Sequence, residues 1–179
     1  MAVISLGGMV VGRSLPVAGD QLDIDIVNYA RKKYNLLLGE KTAEELKCVH
    51  GSAMESLDKR SDSSDKITFQ GRDLKTGLPR SIKISHMELR DAIRGSLTYI
   101  INGIKDLIEE VPAELMPDIL RTGITLVGGT ALLKGLDRLI SGEINVPVAI
   151  MPDPHTCVVK GCGFLLEDPG LLDLVKIER

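Results

Sequence analysis

The sequence predicts an α/β domain whose mixed sheet is incomplete and which carries a smaller inserted α+β lobe. Three observations predict it. Two β-prone runs joined by glycines open the chain, a strand–turn–helix signature occupies Gly123-Ile124-Thr125-Leu126-Val127-Gly128-Gly129-Thr130-Ala131-Leu132-Leu133-Lys134-Gly135-Leu136, and a stretch of mixed strand and helix character, about residues 35–90, lies between them. The expected division is therefore a core subdomain of residues 1–34 and 91–179, with residues 35–90 inserted.

Taken in order, Ala2 to Leu6 and Met9 to Ser14 are β-prone, and Gly7-Gly8 between them supplies the positive φ angles of a two-residue hairpin turn. Asp20 is placed to cap a helix with an apolar face of Leu22, Ile26, Tyr29 and Ala30, and Arg31, Lys32 and Lys33 complement the dipole at its end. Gly39 breaks that segment. Thr42-Ala43-Glu44-Glu45 fits a capping box opening a second helix, with Glu44 and Lys47 on one face as an exposed ion pair. Gly51 to Asp65 is Ser- and Asp-rich and reads as a loop. Ile67 and Phe69, a turn-rich middle and the alternation Ser81-Ile82-Lys83-Ile84 make a second hairpin.

Ser85-His86-Met87-Glu88 is another capping box, launching the most periodic segment: Leu89, Ile93, Leu97, Ile100, Ile104, Leu107, Ile108 and Val111, closed by Pro112. His86, beside the cap, reads as a surface residue rather than a general base. Pro117 opens a short helical turn. Ile124 to Val127 then forms a strand running through Gly128-Gly129 into a helix with Leu132, Leu133, Leu136, Leu139 and Ile140 inward. Glycines and a helix N-terminus there suit a polar or anionic ligand, while a Gly-Gly pair is needed as often merely to close a βα turn. Val146 to Ile150 is a further strand, Asp153-Pro154 caps the last helix, and Gly161 and Gly163 within it imply close packing against another backbone.

Composition narrows the function. A net charge of −3, from 22 Lys and Arg against 25 Asp and Glu with no basic run, argues against nucleic acid. Aromatic content of 3% with no Trp argues against a stacking platform. Cys48, Cys157 and Cys162 form no CxxC pair and read as reduced, buried structural thiols of a cytoplasmic protein; with His155 they lack zinc spacing, so no metal site is expected. No apolar run reaches the roughly 20 residues of a membrane span.

The order of pieces resembles the second half of the MreB family, bacterial actin-like proteins that determine cell shape. The matching runs are Val3-Ile4-Ser5-Leu6-Gly7-Gly8, Val17-Ala18-Gly19-Asp20, Tyr34-Asn35-Leu36, Gly39-Glu40-Lys41-Thr42-Ala43-Glu44, Gly71-Arg72-Asp73-Leu74 with Thr76-Gly77-Leu78-Pro79, and Asp153-Pro154 with Cys157-Val158-Val159. The resemblance implies an actin-like ATPase (ribonuclease H-like) fold. It also implies adenine-nucleotide contacts at Gly128, Gly129, Thr130, Ala131 and Leu132 and, from the inserted lobe, at Glu44, Glu45, Leu46 and Lys47, with ATP and Mg as cofactors. Where the family reads Thr-Gly-Gly-Gly-Ala, this chain has Thr130 in place of a glycine, which either crowds the nucleotide or lends a hydroxyl as a helix cap.

Both family phosphate loops and the catalytic acidic residue have no counterpart in this sequence, so no catalytic residue is assigned and no ATP hydrolysis by the chain alone is expected. A strand the family places between the first hairpin and Ile124 to Val127 also lacks a counterpart. Either the flanking strands close up or another chain fills the slot, and marginal stability or self-association is expected. The implied role is a subunit of membrane-associated filaments that direct cell-wall synthesis and rod shape, with self or full-length MreB-like subunits and a membrane-anchored adaptor such as RodZ as partners. The alternatives are a nucleotide-free module that caps or modulates full-length filaments and, less favoured, an actin-like phosphotransferase.

Overall fold

The computed structural model describes residues 1–54 and 66–171. The loop expected over residues 51–65 therefore falls largely outside the described residues, as do residues 172–179. The chain opens with a hairpin of β1 (Ala2–Ser5) and β2 (Gly8–Gly12), paired antiparallel with an irregularity between Val3 and Ile4. Its turn sits one residue earlier than expected: Leu6 and Gly7, at φ 51° and 81°, are the two left-handed residues, and Gly8 already belongs to the strand. Arg13 ties the base of the hairpin to a later helix through Asp106, at 2.9 Å, and Glu110.

Helix α1 (Gly19–Tyr34) buries Leu22, Ile26 and Ala30 as its periodicity requires. Asp20 is not its cap. The cap position is Ala18 without a side-chain bond, and Asp20 lies in the first turn, where a carboxylate complements the dipole. Asn35, at φ 52°, ends the helix and delivers the chain to β3 (Leu36–Leu37). Helix α2 (Glu40–His50) likewise begins earlier than the Thr42 capping box would have it, with Gly39 as cap residue.

Strands β4 (Ile67–Asp73) and β5 (Pro79–Ile84) form the second hairpin in the register Ile67↔Ile84 to Arg72↔Pro79, and β3 adds antiparallel to β4. Alternation buries Ile67, Phe69, Ile82 and Ile84 on one face. The turn is organised by Asp73, which accepts from the backbone of Lys75 and Thr76 and from Arg80. Those hydrogen bonds, from Thr76 first, hold the Asp73 carboxyl down at about 2.

Helix α3 (His86–Glu109) starts at the expected capping box: Ser85 Oγ accepts from the Glu88 N–H, and Glu88 accepts from the Ser85 N–H. Its Leu89, Ile93, Leu97 and Ile104 join Leu22, Leu36, Ala43, Leu46, Ile82 and Ile140 in one continuous core, so α2 and the β3-β4-β5 sheet share their apolar interior with α1 and α3. A short 3-10 turn and α4 (Met116–Thr122) lead into β6 (Ile124–Leu126), which pairs parallel with β7 (Val148–Ile150). Helix α5 (Leu136–Ile144) lies between them in sequence and packs on α3 and β7.

Among the described residues the strands stand in three sheets, β1-β2, β3-β4-β5 and β6-β7. The first hairpin and the parallel pair have not closed up on each other. The last helix, α6 (Cys157–Glu167), follows a 3-10 turn, with Asp153 at φ 49° and no side-chain cap. It buries none of its residues, and a Cβ added at Gly161 or Gly163 would meet nothing within 4 Å. The close packing expected there is absent within the described chain. Nor are the thiols buried: Cys48 and Cys162 are exposed and Cys157 is half-buried, all three free.

Candidate functional site

The turn after β6 is not the strand-to-helix junction that its spacing suggested. Gly128, at φ 86° and ψ 169°, turns the chain sharply, a single 3-10 turn follows at Gly129–Leu132, and the chain breaks again at Gly135 (φ 76°) before α5 begins at Leu136. Helical spacing misled here because Leu132 and Leu133 belong to the 3-10 turn and its exit. Leu132 is half exposed and Leu133 is core. The N-terminal dipole of α5 therefore sits seven residues beyond the glycines, and no helix dipole is aimed from them. Thr130 caps no helix either.

The turn is held by its neighbours. The Gly128 N–H donates to the Pro154 carbonyl at 2.8 Å, Ala131 is buried, and a Cβ on Gly129 would approach the His155 ring to 3.1 Å. A side chain at Gly129 would crowd the exposed His155 imidazole, which would have to give by a few tenths of an ångström. From the other side comes α2. The Lys134 Nζ donates to the Val49 carbonyl at 3.0 Å, the Ala53 N–H donates to the Lys134 carbonyl at 2.8 Å, and Gly51 lies against Leu133.

Where these elements meet, Lys47 Nζ donates to the Gly19 carbonyl at 3.0 Å and to Asp23 Oδ2 at 2.7 Å. Both side chains of that pair are only 14% exposed. A Cβ added to Gly19 would stand 3.1 Å from Thr130 Oγ1 and 3.4 Å from Lys47 Nζ. Gly19 is therefore the point at which α2 and the 128–132 turn converge on the start of α1. The expected Glu44–Lys47 surface pair gives way to this half-buried one with Asp23, because the ammonium gains both a carboxylate and a carbonyl by turning inward. Asp23 Oδ1 is left buried with no hydrogen-bond partner among the described residues. Such an acceptor costs about 1–3 kcal/mol if nothing donates to it.

Of the nine residues singled out from the sequence, Lys47, Gly128, Gly129, Thr130 and Ala131 are brought to this junction. Leu132 is the exposed end of the 3-10 turn, and Glu44 is exposed on α2. Leu46 is core and, with Glu45, Thr42, Val49, His50 and Phe69, lines a separate cavity of about 260 Å³ between α2 and β4. Sequence reading missed Gly19, Asp23 and His155. Asp23 follows the fully buried Leu22, so a carboxylate at the rim of the core needing a cation was legible there, but the cation was not.

Among the described residues no three His, Cys, Asp or Glu side chains stand together as a metal site would need, and no helix is long and apolar enough to cross a membrane.

A family model described as MreB/Mbl protein matches residues 1–173. The chain is 39% identical over 177 residues to the cell shape-determining protein Mbl of Bacillus subtilis (99% of this chain, 52% of that protein). It is 41% identical over 167 residues to the cell shape-determining protein MreB of Escherichia coli K12 (93% and 47%). Among solved structures it is similar to MreB5 of Spiroplasma citri bound to ADP, at a TM-score of 0.85 and 36% identity over 93% of this chain and 49% of that one. The AMPPNP-bound form of the same protein gives 0.86 at 36% identity (94% and 49%). A MamK double helical filament matches at 0.71 with 19% identity over 89% and 48%, a likeness of fold. The chain spans about half the length of the relatives it matches.

Proposed function

The chain belongs to the MreB/Mbl protein family, and on that premise we propose that it binds an adenine nucleotide at the junction of Gly19, Lys47 and the 128–132 turn, as part of an actin-like, cell-shape-determining filament system. The observation that carries this reading is the convergence of Lys47, Gly19 and Thr130 beside the orphaned Asp23 Oδ1. A buried acceptor next to a fixed ammonium fits a ribose: one hydroxyl donates to Asp23 while another accepts from Lys47. Exposed Leu132 and the Gly128–Thr130 backbone offer a flat, partly apolar wall for a base. The ADP and AMPPNP in the two MreB5 structures support a nucleotide in the family.

The residues here fit the nucleoside end of ATP. They provide no phosphate cradle and no acidic cluster for Mg, so phosphoryl transfer is not assigned to this chain's residues. The division into a core of residues 1–34 and 91–179 with an insertion at 35–90 belongs to the same proposal, since the insertion is what carries Lys47 across from the turn. So do assembly with MreB-like subunits, an adaptor such as RodZ, and a cytoplasmic, membrane-associated place through filaments.

A nucleotide-free module that modulates filaments is the second reading, favoured by the fact that Lys47 is already engaged by Asp23 and Gly19. Calorimetric titration with ATP and with adenosine separates the two. Binding that weakens about 10- to 100-fold in Lys47→Ala, the loss of one charge-assisted hydrogen bond, supports the nucleotide. Absence of heat for both ligands, with the fold intact, overturns it.

A further inference from the structure

Strand β4 is paired along only part of one edge. On the side away from β5, β3 meets Asp73 and Arg72 and stops there, so among the described residues no strand takes the outward N–H and C=O groups of residues 67–70. An antiparallel ladder alternates bonded and free positions, so half of these residues turn both groups away from β5. The devices that usually blunt such an edge are missing. The run Ile67-Thr68-Phe69-Gln70 holds no charge and no proline, and its register with β5 is unbroken.

Helix α2 stands alongside this edge. It follows β3 at the Gly71 end, where an added Cβ would strike Leu36 and Leu37, and it finishes at the Ile67–Ile84 end, where His86 Nδ1 lies 3.3 Å from the His50 carbonyl. Helix and strand therefore run in opposite directions. Their lengths match: Thr42 to His50 rises about 12 Å, and four extended residues span about 13 Å. The cavity of about 260 Å³ lies between them, with Leu46 and Phe69 buried in its floor, Thr68 and Gln70 on the strand side, and Val49 and Glu45 exposed on the helix side. The Glu45 carboxylate makes no hydrogen bond or ion pair among the described residues.

We infer that this groove takes an extended segment of another polypeptide, which adds to β4 as a strand and sets a cationic side chain on Glu45 and an aliphatic one against Val49 and Leu46. A peptide backbone is the ligand whose donors and acceptors repeat at the spacing of a strand edge, and side-chain pockets beside the edge supply selectivity. Glu45 and Val49 are one helical turn apart, about 6 Å, and alternate residues of a strand are about 6.6 Å apart, so the two anchors are separated by one residue. Antiparallel addition to β4 runs along α2 in the helix direction, which places the cation first and the aliphatic residue second. The inference does not rest on nucleotide binding, because Lys47 leaves α2 toward Gly19 and Asp23 instead.

The probe is the end-blocked peptide Thr-Thr-Lys-Thr-Val-Thr-Thr, titrated into the isotope-labelled chain to about 5 mM, where a complex with a Kd of about 1 mM is mostly formed. The expected result is amide shifts confined to residues 67–70 and the facing side of α2, with cross-strand proton contacts between peptide and β4. Proline in place of the peptide's central Thr removes an N–H and weakens binding at least about tenfold. Exchanging its Val for Ser weakens binding about fivefold. Glu45→Gln weakens the Lys peptide about 2- to 5-fold and leaves a Gln-for-Lys peptide unaffected. Absence of shifts at the highest concentration, shifts centred elsewhere, or equal binding of the proline peptide overturns the inference. So does protection of the outward amides of residues 67–70 from exchange in the chain alone, since the edge is then already taken.

Discussion

Glu88 offers a sharp check on the energetics of this fold, because one carboxylate does three jobs. Its Oε2 completes the capping box with the Ser85 N–H at 2.9 Å, and its Oε1 accepts from Lys33 Nζ at 2.6 Å and from the Tyr34 hydroxyl, joining the start of α3 to the end of α1. Burial pushes this carboxyl up, but the hydrogen bonds from Lys33 and Tyr34, then from Ser85, outweigh it and hold the group at about 2 against an ordinary 4.5. The sign follows: a depressed folded-state value means stability fully present above 4.5 and lost as pH falls toward 2. The full shift corresponds to about 3 kcal/mol. Lys33 is half exposed, so solvent screening reduces this to about 2 kcal/mol. Glu88→Gln keeps an acceptor for the capping box and removes the charge. Urea unfolding at pH 7 is expected to show the variant about 2 kcal/mol less stable, with less than half of that difference surviving at pH 3. A difference of the same size at both pH values would refute the electrostatic argument and leave only packing.

Two further outcomes are expected. His50 is held below 6.5 by burial first and then by the charges of His86 and Lys134, so its imidazole takes up a proton at lower pH in the folded chain than in the unfolded one, and stability falls as pH drops below 6.5; a proton NMR titration reads this, and His86→Ala moves the His50 midpoint upward. Gly128→Ala places a Cβ at φ 86° and ψ 169°, a region open to glycine alone, and costs about 1–3 kcal/mol through strain; its added Cβ meets nothing, so a thermal melt matching wild type would show that the turn relaxes freely.

What could be read from the sequence follows the distance over which each signal acts. Capping by Ser85, the periodicity of α3 and the alternation of β4 and β5 are set by neighbours within one or two turns, and each appears where expected. Caps at Asp20 and Thr42 failed because a glycine or alanine in extended backbone suffices when tertiary packing fixes the helix start, leaving the polar residue free in the first turn. All nine expected ligand residues are on the turn or on α2, yet the Lys47–Asp23 pair spans 24 positions and only the folded chain reveals it. Gly161 and Gly163 show the opposite failure. Their small size suggests close packing, yet a Cβ added at either would meet nothing within 4 Å.

The distribution of burial then explains why the candidate site lies where it does. Leu22, Leu36, Leu89, Ile93 and Ile140 are the largest fully buried side chains, and four of these five lie on α1, β3 and α3, while β1, β2 and α6 contribute no buried residue. Cooperative stability is thus concentrated in α1, α2, α3 and the β3-β4-β5 sheet, with β6, β7 and the 128–132 turn attached at its margin. Specific polar and backbone contacts tie the turn to the rest, Lys134 with Val49 and Ala53, Gly51 against Leu133 and Thr130 against Gly19, beside the core burial of Leu133, Leu136 and Ile140. A ligand that bridges Lys47 on one side and the Gly128–Thr130 backbone on the other spans this seam, so its binding would stabilise the contact between the two sides.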